Sequence, residues 1–245
     1  DAIIDANFTT TADLTAKSLT INQGKVFTVA SGHTLTVVNA IENNSVVAGV
    51  DTFVVENDAV LIQTSNAVNT GIVTVKRNSS SLFRQDYTLW SSPVNGQNLR
   101  NFSPATLFNR FSTYDTAAGT NGDYLQELFT TNDINTKVFG EAKGYLIRMP
   151  NNWVENNNSN VAQPYLGKFS GTLNNGDITI GLSLANTKFN LVGNPYASPI
   201  SISAFFTANP NIEKTLYFWR KTNGANASSG YATSNELGTV SSSQT

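Results

Sequence analysis

Cysteine is absent from the 245 residues, and histidine and methionine occur once each. Without thiols there is no disulfide framework and no thiolate metal site, and a single imidazole, His33, leaves zinc without a ligand set. Charge is also scarce. Lys, Arg, Asp and Glu make up 13% of the chain, with a formal net charge of -2, where a typical globular domain has about a quarter. Lys76-Arg77 is the densest basic pair, so nothing forms an electrostatic footprint for nucleic acid or an anionic membrane surface. No apolar run approaches the roughly 20 residues that span a bilayer. The opening Asp1-Ala2-Ile3-Ile4-Asp5 has neither an initiator Met nor the basic and apolar regions of a signal peptide, so the numbering is expected to begin inside a longer precursor.

What the chain has in abundance is Asn, Thr, Ser and Gly. Thr is β-branched and suits a pleated surface, while Asn and Gly tolerate the positive φ of tight turns. From Leu19 to about Val75 this mix reads as short β phrases between polar turns. Leu19-Thr20-Ile21 precedes Asn22-Gln23-Gly24, Val26-Phe27-Thr28-Val29 precedes Ala30-Ser31-Gly32, and Leu35-Thr36-Val37 follows. Phe53-Val54-Val55, Val60-Leu61-Ile62 and Ile72-Val73-Thr74-Val75 continue the rhythm. Alternation within each phrase gives a strand with one buried face. Ile21, Val29 and Val37 recur at a spacing that fits solenoid rungs, each covering its neighbour's apolar face. The same spacing fits an antiparallel meander; rungs are the favoured reading.

Around Arg77 to Ser81 the character shifts to an aromatic-rich sequence with Phe83, Tyr87, Trp90, Phe102, Phe108, Phe111 and Tyr114. Strands are predicted at Tyr87–Trp90, Gly144–Met149, Tyr165–Thr172, Asp177–Leu184, Phe189–Val192 and Leu216–Arg220. Asn109–Tyr114 is expected to pair with Tyr124–Phe129 around a polar loop. Ser201–Ala208 is the best short helix, with Ser201 or Ser203 as its cap. The chain is therefore expected to be all-β, with solenoid-like (β-helix-type) rungs over residues 1–78 and an antiparallel β-sandwich with a short helix over 79–245.

Four phrases have a familiar form: Tyr87-Thr88-Leu89-Trp90-Ser91-Ser92-Pro93-Val94, Gly144-Tyr145-Leu146-Ile147-Arg148, Phe189-Asn190-Leu191-Val192-Gly193-Asn194-Pro195-Tyr196 and Leu216-Tyr217-Phe218-Trp219-Arg220-Lys221. They resemble a recurrent segment of large flavobacterial (Bacteroidota) cell-surface proteins exported by the type IX secretion system, and Ser31–Val37 is similar to the phrases that precede it there. The resemblance implies an extracellular or outer-surface location and a structural or adhesive role, and it brings no catalytic residues. The sorting domain of those proteins is not in this sequence, and the chain stops at Ser241-Ser242-Ser243-Gln244-Thr245 where relatives continue, so the second region is expected to be incomplete. Exported Bacteroidota proteins carry O-glycans at Asp-Ser/Thr followed by a small or aliphatic residue. Asp115-Thr116-Ala117 matches, which makes Thr116 a candidate modification site.

The search for catalytic chemistry returns little. His33 sits beside a turn and reads as a surface residue, and no Gly-x-Ser-x-Gly elbow or phosphate-cradling loop occurs. Asp115, Asp123, Glu127 and Glu141 are the nearest carboxylates for a glycosidase pair, and their positions suit solvated loops. Asp115, Asn121 and Asp123 could offer oxygens to calcium, without an EF-hand motif behind them. No other cofactor is expected. Among the tryptophans, Trp90 and Trp219 lie in apolar strands and read as core. Trp153 follows Pro150-Asn151-Asn152 and precedes Glu155, so Asn151, Asn152, Trp153 and Glu155 form the candidate sugar platform. The leading expectation is a non-enzymatic structural or adhesive segment whose partners are other domains or copies of the same surface protein. A glycan-binding module is the alternative, and a glycoside hydrolase or lyase comes third.

Overall fold

A computed structural model describes residues 1–127, 129–130, 136–153, 162–220, 230–235 and 237–240. The chain first makes three passes of three short strands each. These are β1 (Ala2–Ile4), β2 (Phe8–Thr9) and β3 (Leu14–Ala16); β4 (Leu19–Ile21), β5 (Phe27–Val29) and β6 (Thr34–Val37); and β7 (Ile41–Asn43), β8 (Phe53–Val55) and β9 (Val60–Gln63). Each strand lies parallel beside the equivalent strand of the next pass: β1-β4-β7, β2-β5-β8 and β3-β6-β9. The Ile21, Val29, Val37 spacing is therefore a step from one side to the next within a pass, and all three side chains are fully buried. Stacking neighbours are more distant in sequence: Leu19 lies between Ala2 and Ile41. On the second side Phe8, Phe27 and Phe53 form a column, with ring centroids 6.1 and 5.2 Å apart.

The fourth strand on that side, β10 (Val73–Leu82), changes the pairing. Its Thr74 and Val75 run parallel to β8, while its other edge runs antiparallel to β16 along almost its whole length. Gly71 sets up this approach. It has φ +82°, and a Cβ there would overlap the Asn43 carbonyl, so only glycine fits.

The remaining elements are β11 (Tyr87–Trp90), β12 (Val94–Asn95), α1 (Leu99–Phe102), β13 (Phe111–Asp115), β14 (Asp123–Gln126), β15 (Tyr145–Arg148), β16 (Gln163–Leu173), α2 (Ile202–Ala208), β17 (Thr215–Arg220), β18 (Gly230–Asn235) and β19 (Gly238–Val240). They give a six-stranded sheet ordered β12-β16-β10-β8-β5-β2, an antiparallel sheet β11-β15-β13-β14 and a three-stranded sheet β17-β18-β19. Trp90 on β11 meets Phe169 on β16 at 6.0 Å, and Phe102 of α1 lies against both. The chain is thus strand-dominated, with several sheets and few helical residues. No helix among the described residues is long and apolar enough to cross a membrane.

The expected hairpin at 109–129 is present as β13–β14, and Ser201 caps α2 by accepting from Ala204 N. Two expected strands are not ladders. Over 177–192 the only bridge is Lys143 with Val192, and Asn190 instead ties the two arms by accepting from Ser183 N and donating to Ser183 O. The alternation Ile178, Ile180, Leu182, Leu184 marks a face but supplies no neighbouring edge, and the last three stay exposed. The expected division at 78/79 falls inside β10, and one hydrophobic cluster runs from Leu19 and Phe53 to Phe111, Ile147 and Phe169.

All three tryptophans lie beyond residue 78, which makes that continuity measurable. Phe53→Ala, at a fully buried position, is expected to cost about 3–5 kcal/mol. It should shift the tryptophan-fluorescence and far-UV transitions in denaturant together; a fluorescence midpoint left at the wild-type value would mean the two regions unfold separately.

Candidate functional site

Trp153 is half-buried at the end of the turn after β15. Its indole Nε1 donates to Leu82 O at 3.2 Å, and its ring stands edge-on to Tyr165 at 5.7 Å. Those contacts fasten the loop to β10 and β16. Asn151 and Asn152 are exposed beside it, with Asn151 Oδ1 accepting from Arg148 Nη2. Glu155 lies outside the described residues.

Thr116 is only 4% exposed. Its hydroxyl donates to Phe189 O at 2.6 Å, so in the folded chain it is covered and already bonded, contrary to its reading as a modification site. The three-residue motif carries no information about the distant segment that it bonds to.

Asp115 and Asp123 face each other across the β13–β14 hairpin. Each carboxylate accepts from nearby backbone, Ala117 N and Tyr124 N respectively. The Asn121 carbonyl takes bonds from the Tyr114 and Thr187 hydroxyls. Calcium needs about six to eight oxygens, and among the described residues no three His, Cys, Asp or Glu converge. Glu127 is paired with Lys137 at 2.6 Å, and Glu141 is exposed elsewhere. His33 is half-buried at its corner, 2.8 Å from the Thr10 hydroxyl that accepts from Ala30 N. These contacts hold corners and hairpins together.

A larger opening lies elsewhere, between β11, the 191–196 loop, α2 and β17, and holds about 580 Å³. Trp90, Leu191, Phe205, Leu216, Phe218 and Trp219 stand in its apolar wall, and among the described residues no carboxylate lines it. At one end Trp219 Nε1 donates to Tyr87 O at 3.3 Å, which ties the two edge strands. The Arg77 guanidinium at the margin is committed to the Glu56, Lys76 and Ala197 carbonyls. Burial lowers its pKa, with Asp58 opposing the shift. Each of the four phrases 87–94, 144–148, 189–196 and 216–221 contributes to this wall. Reading the phrases singly gave no sign that they converge; the one local signal was their shared density of aromatic and aliphatic residues. A smaller polar recess of about 240 Å³ is lined by Gln63, Asn66, Asn174, Asn175, Asp177 and Tyr196 among others. Asn174, Asn175 and Tyr196 spend donors on nearby carbonyls there, closing a seam.

A family model matches residues 1–244, from the first pass to the last hairpin. The chain belongs to the family designated Domain of unknown function (DUF8693). That match takes the stack and the aromatic region together. No curated protein and no solved structure matches the chain.

Two outcomes follow from these surroundings. Mass spectrometry of the protein isolated from its native cells should find the Thr116 peptide unmodified, and Thr116→Val should cost about 1 kcal/mol through its lost hydrogen bond; a glycan on Thr116 would contradict the burial. Desolvation raises the pKa of Tyr124, Tyr145 and Tyr165 above the ordinary tyrosine value. Below about pH 10 these phenols are neutral in both folded and unfolded chains. Above it the unfolded chain loses protons that the folded chain keeps, so stability falls as pH rises. Thermal unfolding followed from pH 8 to 11 should show this alkaline loss, and Tyr145→Phe should reduce it.

Proposed function

We propose that this chain is a non-enzymatic structural or adhesive segment of a secreted bacterial cell-surface protein, of the kind exported by the type IX route in Bacteroidota. In this reading the three parallel sets of strands are a short β-solenoid, and the sheets meeting through Trp90, Phe102 and Phe169 are a β-sandwich. The observation that carries it is the joint at β10, where one strand pairs with both regions. Such a joint fixes the direction of one part relative to the other, which suits a segment that spaces or presents its neighbours. The resemblance of the four phrases supplies the cellular setting. Proteolytic shaving of intact producing cells should release peptides of this chain while the purified protein liberates no sugar from a polysaccharide panel. Retention of the chain inside the cells, or turnover of a polysaccharide, contradicts the reading.

The aromatic groove favours a second reading, a glycan-binding module. Indole and phenol rings stack on the apolar faces of sugars, and Ser91, Asn194 and Tyr196 are nearby polar groups. A glycan array run with Trp153→Ala and Trp219→Ala separates the alternatives. Silence with the folded protein supports the structural segment, binding lost only in Trp219→Ala locates sugar in the groove, and binding lost only in Trp153→Ala locates it at the loop.

A further inference from the structure

Side chains tie the β17-β18-β19 sheet to the rest of the chain at separate points. Trp219 Nε1 bonds Tyr87 O, Tyr217 stands edge-on to Phe189 at 5.2 Å, and the Tyr124 and Tyr231 hydroxyls meet at 3.2 Å. The last contact joins β14 to β18 across 107 residues of sequence. The chain has no cysteine, so no disulfide reinforces that junction.

The Tyr124–Tyr231 contact stands apart among the eight tyrosines. Tyr114, Tyr165 and Tyr196 commit their hydroxyls to the Asn121, Phe102 and Gly176 carbonyls, and the Tyr145 hydroxyl accepts from Gly140 N. Tyr124 and Tyr231 bond each other's hydroxyl. A phenol couples oxidatively at the ring carbons ortho to its oxygen, the Cε atoms, which are bonded to the carbon that carries the hydroxyl. A hydroxyl-to-hydroxyl contact therefore gathers the coupling positions of both rings at one junction. Tyr231 is exposed and Tyr124 half-buried, which leaves the rings room to swing from a hydrogen bond into carbon contact.

The neighbouring rings give the pair its direction. Tyr114 is edge-on to Tyr124 at 5.3 Å, but its hydroxyl is held by Asn121 O and sits tight against Gly122, where a Cβ would lie 2.2 Å from it. Trp219 is edge-on to Tyr231 at 5.3 Å, so an electron lost at that indole is replaceable from the phenol beside it. Burial, with help from the Tyr231 bond, holds the Tyr124 phenol above the ordinary tyrosine pKa. At neutral pH its oxidation therefore removes a proton together with the electron.

We propose that Tyr124 and Tyr231 are a dityrosine site, at which a peroxide acting through a peroxidase-class one-electron oxidant staples β14 to β18. Each phenol gives up one electron and its hydroxyl proton and becomes a phenoxyl radical. The radicals join through a new Cε–Cε bond. The hydrogen on each joined carbon leaves as a proton and each oxygen regains one, which restores both hydroxyls. The two electrons and two protons released reduce hydrogen peroxide, whose O–O bond breaks to give two waters. This chemistry goes beyond the surface reading and is independent of it, because both phenols belong to the folded chain itself.

The test treats the dilute full chain with hydrogen peroxide and a haem peroxidase, followed by intact mass, peptide mapping and dityrosine fluorescence. The expected product is a monomer lighter by two hydrogens, with the peptides carrying Tyr124 and Tyr231 joined and a yield per chain unchanged on dilution. Tyr124→Phe and Tyr231→Phe should each abolish it, whereas Tyr114→Phe should keep it. Each variant retains its ring, and a far-UV spectrum matching wild type shows that it is folded; the wild-type peptide map decides the site without any variant. The joined chain should unfold at a higher denaturant concentration than the untreated one, because the staple closes a loop across 107 residues that the unfolded chain otherwise leaves open. The same treatment should leave the midpoint of Tyr231→Phe in place. The proposal is overturned by joined peptides other than these two, by a product whose yield falls on dilution and so forms between chains, by oxygen added at Trp219 with no joined peptides, or by an unmoved midpoint in the joined chain. Failed coupling leaves the cell-shaving result untouched, and a chain retained inside cells leaves the coupling result untouched.

Discussion

β10 has two neighbours of opposite kind, and the arrangement of the chain depends on satisfying both. Its Thr74 and Val75 complete a parallel ladder with β8, and almost its whole length forms an antiparallel ladder with β16. Buried backbone N–H and C=O groups need partners, so β10 cannot leave either ladder without exposing the other. Val73 and Val75 point into the same cluster as Phe53 and Phe169. The tight passage of Gly71 over the Asn43 carbonyl sets where β10 begins. One hydrophobic cluster thereby joins the parallel stack to β13, β15 and β16.

That joint positions the aromatic groove. β16, held on β10, presents Phe169 and Tyr165; these receive Trp90 and Trp153, and so fix β11 and the loop after β15. With β11 fixed as the outer strand of its sheet, β17 is tied to it through the Tyr87–Trp219 bond, and the aromatic groove lies between the two strands. The same joint covers β8, the last strand of its side of the stack. The groove is thus a consequence of ladder pairing, with side-chain chemistry setting what it accepts.

Much of the local structure was legible in the sequence because it follows from short-range rules. Ile21, Val29 and Val37 announce buried strand faces, Ser201 announces a helix cap, and the β13–β14 hairpin follows from two β runs around a polar loop. Pairing across distance was not legible. Nothing in Leu19-Thr20-Ile21 says that its neighbours are Ala2–Ile4 and Ile41–Asn43, and the apolar alternation at 178–184 found no edge to join. The candidate sites fared according to the same distinction. Trp153 read as a loop residue, but its acceptor, Leu82 O, lies across the fold. Thr116 matched a modification motif, while Phe189 decided its burial. The four resemblance phrases were visible one by one, and only the folded chain brings them around a single groove.

The central claim is that β10 makes one cooperative body of the two regions, and hydrogen exchange tests it most directly. Under conditions where exchange reports opening free energies, amides of β5, β8, β10 and β16 should share the free energy of global unfolding. A stack whose β5 and β8 amides exchange through a distinctly cheaper opening, while β16 stays protected, would contradict the claim and make the parallel passes a separate unit.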